Sequence, residues 1–289
     1  MKISVITSYT NPEERMDPWK EALECYENFA DEVIVTGQNL KDEFEFSDIG
    51  LMFQEGFDKA SGDWVVKMDI DTFLHEKDFN KLYSAMKKFS EYPAISLRKF
   101  QFFTPERYHM KSRMAMVINK KKFKNIKFNG GGDGCDPTLN GILLNEKNIP
   151  VSLVPFWNYD SVFKTKEIIS KDRARFARAW KRTYGNYGDR GGPESETAFN
   201  SWINMIEERY KKHIFNMPFD NHPSFIKEKL STLDDRQFGN DLFGIDKSIK
   251  RSFKDYLNAI NEMYMNEVIL YLKSSHKKNN FHLKPDHDV

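Results

Sequence analysis

Cysteine is nearly absent from this chain of 289 residues: Cys25 and Cys135 are the only two, too few for a disulfide framework or a cysteine-built zinc site. Charge of one sign is missing too. The net charge is +1, from 44 Lys plus Arg against 43 Asp plus Glu, which excludes a chain built to bind nucleic acid or an anionic membrane over its whole surface. No run approaches the roughly 18 apolar residues of a membrane span. The strand-like Lys2-Ile-Ser-Val-Ile-Thr7 leaves no room for a signal peptide's charged and apolar regions, so a cytoplasmic protein is expected. No G-x-G-x-x-G follows that first strand, which argues against a Rossmann dehydrogenase. Internal repeats and low-complexity linkers are absent, and any domain boundary is soft.

Aromatic residues are plentiful, at 14% with 24 Phe. Sugar-stacking surfaces would use them, but a Phe-rich core explains most of them more simply. The length suits one large α/β domain or a domain with an appendage. Ile3–Thr7 and Glu32–Thr36 read as buried strands. Between them Asp17-Pro18 predicts an N-cap with proline in the first helical position, followed by Trp19, Ala22, Leu23, Tyr26 and Ala30 at helical spacing. A second helix is predicted from Gly50 to Lys59, then a strand from Trp64. Strand, helix, strand, helix, strand is the signature of a parallel sheet with covering helices, and ligands of such sheets sit beyond the carboxyl ends of the strands.

The third strand is the most informative. Trp64-Val-Val-Lys-Met-Asp-Ile-Asp71 is a short apolar run ending in two aspartates one residue apart. Continued as a strand, it would point Asp69 and Asp71 to one side. Two hard carboxylates at a strand tip suit Mg²⁺ or Mn²⁺, which commonly share their coordination sphere with substrate phosphates. The plain alternative is a solvated turn. Further strands are expected at Ala94–Phe103, Arg113–Asn119 and Val151–Pro155, and helices at Glu194–Lys211 and Ile249–Leu272. The Arg-rich helix after Thr165 would either present an arginine to a diphosphate or form a solvated face. Lys120–Lys124 reads as an exposed hairpin edge. His75 and His109 fall near the crevice without a nameable partner; His276, His282 and His287 sit in a polar tail expected to fray. Gly130-Gly-Gly-Asp-Gly-Cys-Asp-Pro137 is a loop whose glycines let the backbone approach a ligand closely.

Ile3-Ser-Val-Ile-Thr-Ser-Tyr-Thr-Asn11, Gln54-Glu-Gly-Phe-Asp-Lys-Ala-Ser-Gly62 and the D-x-D strand, in that order, resemble the family 2 glycosyltransferases. Gln54 stands where that family's N-x-G-x-x-x-A-x-G segment has asparagine. The resemblance covers about the first 165 residues. It implies a GT-A fold, an α/β, Rossmann-like and mainly parallel sheet flanked by helices, here with a mostly helical C-terminal extension. It divides the chain into a catalytic domain over 1–215 and an extension over 216–289. Within the first, a nucleotide-sugar half would span about 1–100 and an acceptor half about 101–165, with flanking helices to 215. The implied activity is metal-dependent transfer of a sugar from a nucleoside-diphosphate donor of UDP or GDP type to a hydroxyl of a glycan or glycoconjugate, as in polysaccharide biosynthesis.

The same resemblance assigns Thr7, Ser8, Tyr9, Asn39, Gln54, Lys59 and Asp69 to the nucleotide-sugar site, and Asp69 and Asp71 to Mn²⁺ or Mg²⁺. Asn39 replaces an acidic residue common in relatives. Trp157-Asn158-Tyr159-Asp160 replaces an aromatic-His-Tyr-Gly segment, so Asn158 would supply a carbonyl oxygen to the metal. An inverting transfer needs a general base; Asp136 matches the family's acidic residue and Asp133 competes with it. Two other classes stay open, a nucleotidyltransferase on a related fold and a non-catalytic glycan-binding protein. The C-terminal helices would shape the acceptor site or mediate dimerisation, which allows a homo-oligomer.

Overall fold

The computed structural model describes residues 1–211 and 216–274; the polar-tail histidines lie outside them. The chain runs β1 (Ile3–Ser8), α1 (Trp19–Phe29), β2 (Glu32–Thr36), α2 (Phe46–Lys59), β3 (Trp64–Met68), β4 (Thr72–Leu74), α3 (Phe79–Lys88), β5 (Ala94–Phe102) and β6 (Tyr108–Ile118). It continues through β7 (Ile126–Gly130), β8 (Asp136–Leu139), β9 (Ile142–Leu143), β10 (Val151–Asn158), α4 (Lys166–Tyr184), α5 (Ser195–Tyr210) and α6 (Ser224–Ser231). The short α7 (Phe238–Asp241) and α8 (Ile245–Ser248) lead to α9 (Phe253–Ile260), a π-helical turn (Asn261–Met265) and α10 (Asn266–Ser274).

Seven strands form one sheet in the order β2-β1-β3-β6-β5-β10-β4. β1, β2, β3, β5 and β10 run one way, and β6 and β4 run against them. This is the expected α/β architecture, a mainly parallel sheet flanked by helices with a helical C-terminal part. β7, β8 and β9 form a small second sheet. Phenylalanine does fill the interior: Phe29, Phe73, Phe89, Phe100 and Phe102 pack on one side of the main sheet with α1 and α3. Phe53, Phe57, Phe123 and Phe128 pack on the other, between α2 and the small sheet.

Several expectations shift in detail. α1 starts at Trp19 without a side-chain cap; Asp17 is buried in an ion pair with Lys164 at 2.9 Å instead. α2 begins four residues before Gly50, where the Asp48 carboxylate accepts a bond from the Glu45 N–H at 2.8 Å. At its other end Lys120 donates to the carbonyls of Phe57, Asp58 and Ala60. That lysine caps a helix whose last carbonyls have no partner of their own, so it is more than an exposed edge. Gly50 is needed for packing, since a Cβ there would lie 2.2 Å from Phe128 O and 2.3 Å from Gly134 O. The glycine loop is thereby laid against the start of α2.

A carboxylate-lined edge as candidate active site

β3 stops at Met68, and the chain turns through Asp69-Ile70-Asp71 into β4, with Thr72 N donating to Asp69 O at 2.9 Å. Strand alternation therefore does not extend to the aspartates, and they take different environments. The buried Tyr26 hydroxyl, from α1, lies 2.8 Å from the carbonyls of both Asp69 and Thr72 and fixes the turn from beneath. Asp69 is partly exposed and pairs with the buried ammonium of Lys99 at 2.9 Å. Asp71 is buried, and its Oδ1 accepts from Asn158 Nδ2 at 2.6 Å and from Thr72 Oγ1 at 3.1 Å. Burial, aided by the charges of Asp160 and Asp69 and opposed by Lys99, pushes Asp71 up to about 7.

Asn158 sits where the antiparallel pairing of β10 with β4 sets it opposite Thr72. Its NH₂ faces Asp71 and Thr72, so its oxygen turns away from the Asp71 carboxylate. Asn158 thus donates to Asp71, and its own Oδ1 is buried without a hydrogen-bond partner.

The glycine loop between β7 and β8 meets the same edge. Asp136 opens β8, paired with Gly130. Gly131 folds directly over it, with φ +75° and a hypothetical Cβ 2.2 Å from Asp136 Oδ2. Asp136 Oδ1 is buried with no hydrogen-bond partner. Burial raises the Asp136 carboxyl above the usual range; Lys67 opposes this and Asp133 and Asp69 reinforce it. Asp133 is exposed at the loop tip. Lys67, fully buried over the Phe53 ring, lies 3.8 Å from Cys135 Sγ. Burial works against its charge, but Cys135 and the carboxylates of Asp69, Asp136 and Asp133 hold its ammonium above the ordinary lysine range. Burial raises the Cys135 thiol to about 11, so it is neutral near pH 7 and the carboxylates carry that effect.

Thr7, Ser8, Tyr9 and Asn39 fall on this edge as well, at the carboxyl ends of β1 and β2. Thr7 is completely buried, Asn39 is exposed, and Tyr9 packs edge-on against Trp19 with ring centres 5.4 Å apart. Gln54 and Lys59 are not brought to the edge. Gln54 Oε1 accepts from Phe128 N at 3.1 Å and ties α2 to the small sheet. Lys59, at the far end of α2, pairs with Glu55 at 2.6 Å; α2 runs antiparallel to the strands and carries it to the opposite edge. The arginines of α4 are also spent elsewhere: Arg175, Arg178 and Arg182 hold the 41–44 segment through its carbonyls and Glu43.

Beside Asp71 lies a second charged cluster. Lys164 reaches Asp17 at 2.9 Å, Asp160 at 3.3 Å and Asp172 at 3.5 Å. Arg15 bridges Asp17 and Asp172 at 3.0 and 3.1 Å, and Arg173 holds Asp160 at 3.1 Å. Behind it, His222 links the Tyr159 hydroxyl to Pro105 O, each at 2.7 Å. Burial drives His222 down to about 4, so the neutral ring donates from Nε2 to Pro105 and accepts at Nδ1 from Tyr159. Lys67 and Lys99 leave a readable sequence signal, a lysine inside an apolar strand. His222 leaves none.

No group of three His, Cys, Asp or Glu side chains assembles as a metal site among the described residues. The donor set is Asp69 plus the second oxygen of Asp71. These are two hard oxygen donors, the type a hard cation takes, and a cation there would relieve the crowding of carboxylates.

No family model and no curated protein matches the sequence. Among solved structures, a glycosyltransferase involved in glycosylation of the major capsid of PBCV-1 is 14% identical over 43% of this chain, with a TM-score of 0.28. The match spans 62% of that protein's chain. S. aureus TarS 1-349 is 10% identical, covering 86% of this chain and 91% of its own, with a TM-score of 0.34. The same protein in complex with UDP-GlcNAc gives 11% identity and a TM-score of 0.32 over the same shares. Likenesses this loose carry no argument about fold or chemistry.

Proposed function

We propose that the protein is a glycosyltransferase that moves a sugar from a UDP- or GDP-type nucleotide sugar to a hydroxyl acceptor. One observation carries this reading. Asp69, Asp71, Asp133 and Asp136 come from two separate sheets to the carboxyl edge of the parallel strands, beside the buried Lys67 and Lys99. Negative charge concentrated at the ligand-binding edge of an α/β sheet calls for a cationic complement. A divalent ion carrying a nucleoside diphosphate supplies it.

In this proposal Asp71 and Asp69 would hold Mg²⁺ or Mn²⁺, whose charge would offset that of a diphosphate leaving group. Asn158 keeps the Asp71 carboxylate oriented, and Lys99 adds positive charge beside Asp69. Ser8, Tyr9 and Asn39 line the nucleotide end. Asp136, raised by burial toward the working range of a base, accepts the proton of the acceptor hydroxyl as that oxygen attacks the anomeric carbon. Such a geometry inverts the anomeric centre.

The test is a thermal-shift panel of UDP, GDP, CDP and TDP, each with and without Mn²⁺. A ligand that binds only the folded state stabilises it by RT ln(1 + [L]/Kd). One nucleotide that shifts the transition only when Mn²⁺ is present is expected. Absence of a shift with all four, with and without metal, overturns the reading.

A further inference from the structure

Strand β5 carries two polar residues on the face turned toward the aspartates. Lys99 and Gln101 stand two positions apart and so point the same way, while Phe100 and Phe102 pack into the core on the other side of the sheet. Lys99 Nζ meets Asp69 at 2.9 Å, which fixes the direction of that face. Parallel pairing with β10 sets Gln101 beside Asn158, as it sets Phe100 beside Trp157, and Asn158 Nδ2 meets Asp71 at 2.6 Å. Gln101 therefore has, along its strand and across the sheet, neighbours that touch the two aspartates.

Gln101 and Asn158 are 6% and 2% exposed, and Gln101 Oε1 and Asn158 Oδ1 are both buried without a hydrogen-bond partner. An amide oxygen in that state forfeits the bonds it makes in water, and buried polar groups of folded proteins rarely bear such a loss. Here two of them sit on adjacent strands at one register position. Each can only accept a hydrogen bond, so what relieves them both is a ligand that presents donors. A phosphate, an acceptor itself, does not. Hydroxyl groups on neighbouring carbons of a sugar do.

The sheet order says which part of a nucleotide sugar lies there. Ser8, Tyr9 and Asn39 follow β1 and β2, and β5 stands three strand spacings beyond β1, about 14 Å. Asp71 lies between, reaching β10 through Asn158. With the diphosphate at Asp69 and Asp71, the group beyond it from the base is the sugar. We propose that Gln101 and Asn158 form the sugar-reading end of the site, their amide oxygens accepting hydrogen bonds from hydroxyls of the transferred sugar. This role rests on the glycosyltransferase reading above. Asn158 also serves Asp71, so Gln101 is the residue to change.

The test compares binding of UDP-glucose, UDP-N-acetylglucosamine and GDP-mannose with binding of UDP and GDP, all with Mn²⁺, to the full chain and to its Gln101→Met and Gln101→Asn variants. Methionine keeps the volume and removes the acceptor; asparagine keeps the amide but withdraws it by one methylene. Gln101 Oε1 has no partner to lose, so Gln101→Met should leave the unfolding temperature unchanged or raise it. Both variants should bind one of the three donors about tenfold more weakly and its diphosphate with unchanged affinity. Donor affinity kept in both variants, equal losses for donor and diphosphate, or a diphosphate that binds while none of the donors does, overturns the role of Gln101 alone. Failure of every nucleotide to bind the unaltered chain overturns the glycosyltransferase reading with it.

Discussion

Two clusters of aspartates lie side by side on the carboxyl edge of the sheet, and they are built to opposite rules. Asp17, Asp160 and Asp172 meet three cations, Arg15, Lys164 and Arg173, so every charge there has a partner. Asp69, Asp71, Asp133 and Asp136 gather around Lys67 and Lys99 in a looser arrangement. The balanced cluster joins the loop after β1, the segment after β10, and α4; it is a clamp. The unbalanced one leaves Asp136 Oδ1 buried without a partner, a condition that costs stability unless a ligand relieves it. The clamp's carboxylates are each held in ion pairs, whereas Asp136 keeps a buried oxygen with no hydrogen-bond partner.

The strongest way to break this comparison is to change one residue on each side. Asp71→Asn keeps the shape and an acceptor for Asn158 but removes the charge that would hold a metal. Sugar transfer should fall on the order of a thousandfold, with the unfolding temperature little changed; a well-folded and active variant refutes the site. Lys164→Met is the mirror case. Lys164 is buried, and its loss leaves Asp17, Asp160 and Asp172 to Arg15 and Arg173, at a cost of about 3 kcal/mol. In a chain of this size that lowers the unfolding temperature by roughly 10 °C, while nucleotide binding persists in the protein that remains folded. If both variants lost activity and neither lost stability, the division into clamp and site would be wrong.

This division was only half legible in the sequence. Asp69 and Asp71 announced themselves because an apolar strand ending in two carboxylates is a local pattern, and Asp136 stood out through its glycines. Asp17 was legible as an aspartate before a proline, but the pattern pointed to a helix cap. Its partner Lys164 lies 147 positions away in sequence, and no local rule reports such a pairing. Lys67 and Lys99 sat in plain view inside apolar strands. The reverse failure occurred at Gln54 and Lys59, where motif order suggested a ligand site although the antiparallel run of α2 carries Lys59 to the wrong edge. The Arg-rich α4 was legible as a helix, yet its target, the 41–44 segment, depends on tertiary docking. The C-terminal helices were found at nearly the right places, but nothing local said which face they leave exposed.

Acid sharpens the comparison from the clamp side. His222 supports Tyr159, the neighbour of Asp160, and burial holds it at about 4 against an ordinary value near 6.5. The unfolded chain binds a proton there before the folded one does. The stabilising effect of the neutral ring is therefore complete above pH ~6.5 and is lost as pH falls toward about 4, by up to about 3 kcal/mol. Chemical denaturation across that window should show stability falling, and His222→Gln should flatten the fall. An unchanged slope in the variant would assign the acid sensitivity to the carboxylates instead.

The smallest effect separates backbone strain from site geometry. Gly131 and Gly141 share nearly the same φ, +75° and +77°, and alanine at either pays a conformational cost of about 1 kcal/mol. Their surroundings differ. A Cβ at Gly141 meets nothing within 4 Å, whereas one at Gly131 falls 2.2 Å from Asp136 Oδ2. Gly141→Ala should lower stability slightly and leave kcat unchanged. Gly131→Ala should lower stability by a similar amount and also displace the Asp136 carboxylate, reducing kcat about tenfold while the nucleotide KM stays put. Equal kinetics in the two variants would show that Gly131 supplies only a turn, and that Asp136 does not act from the position it holds beneath that glycine.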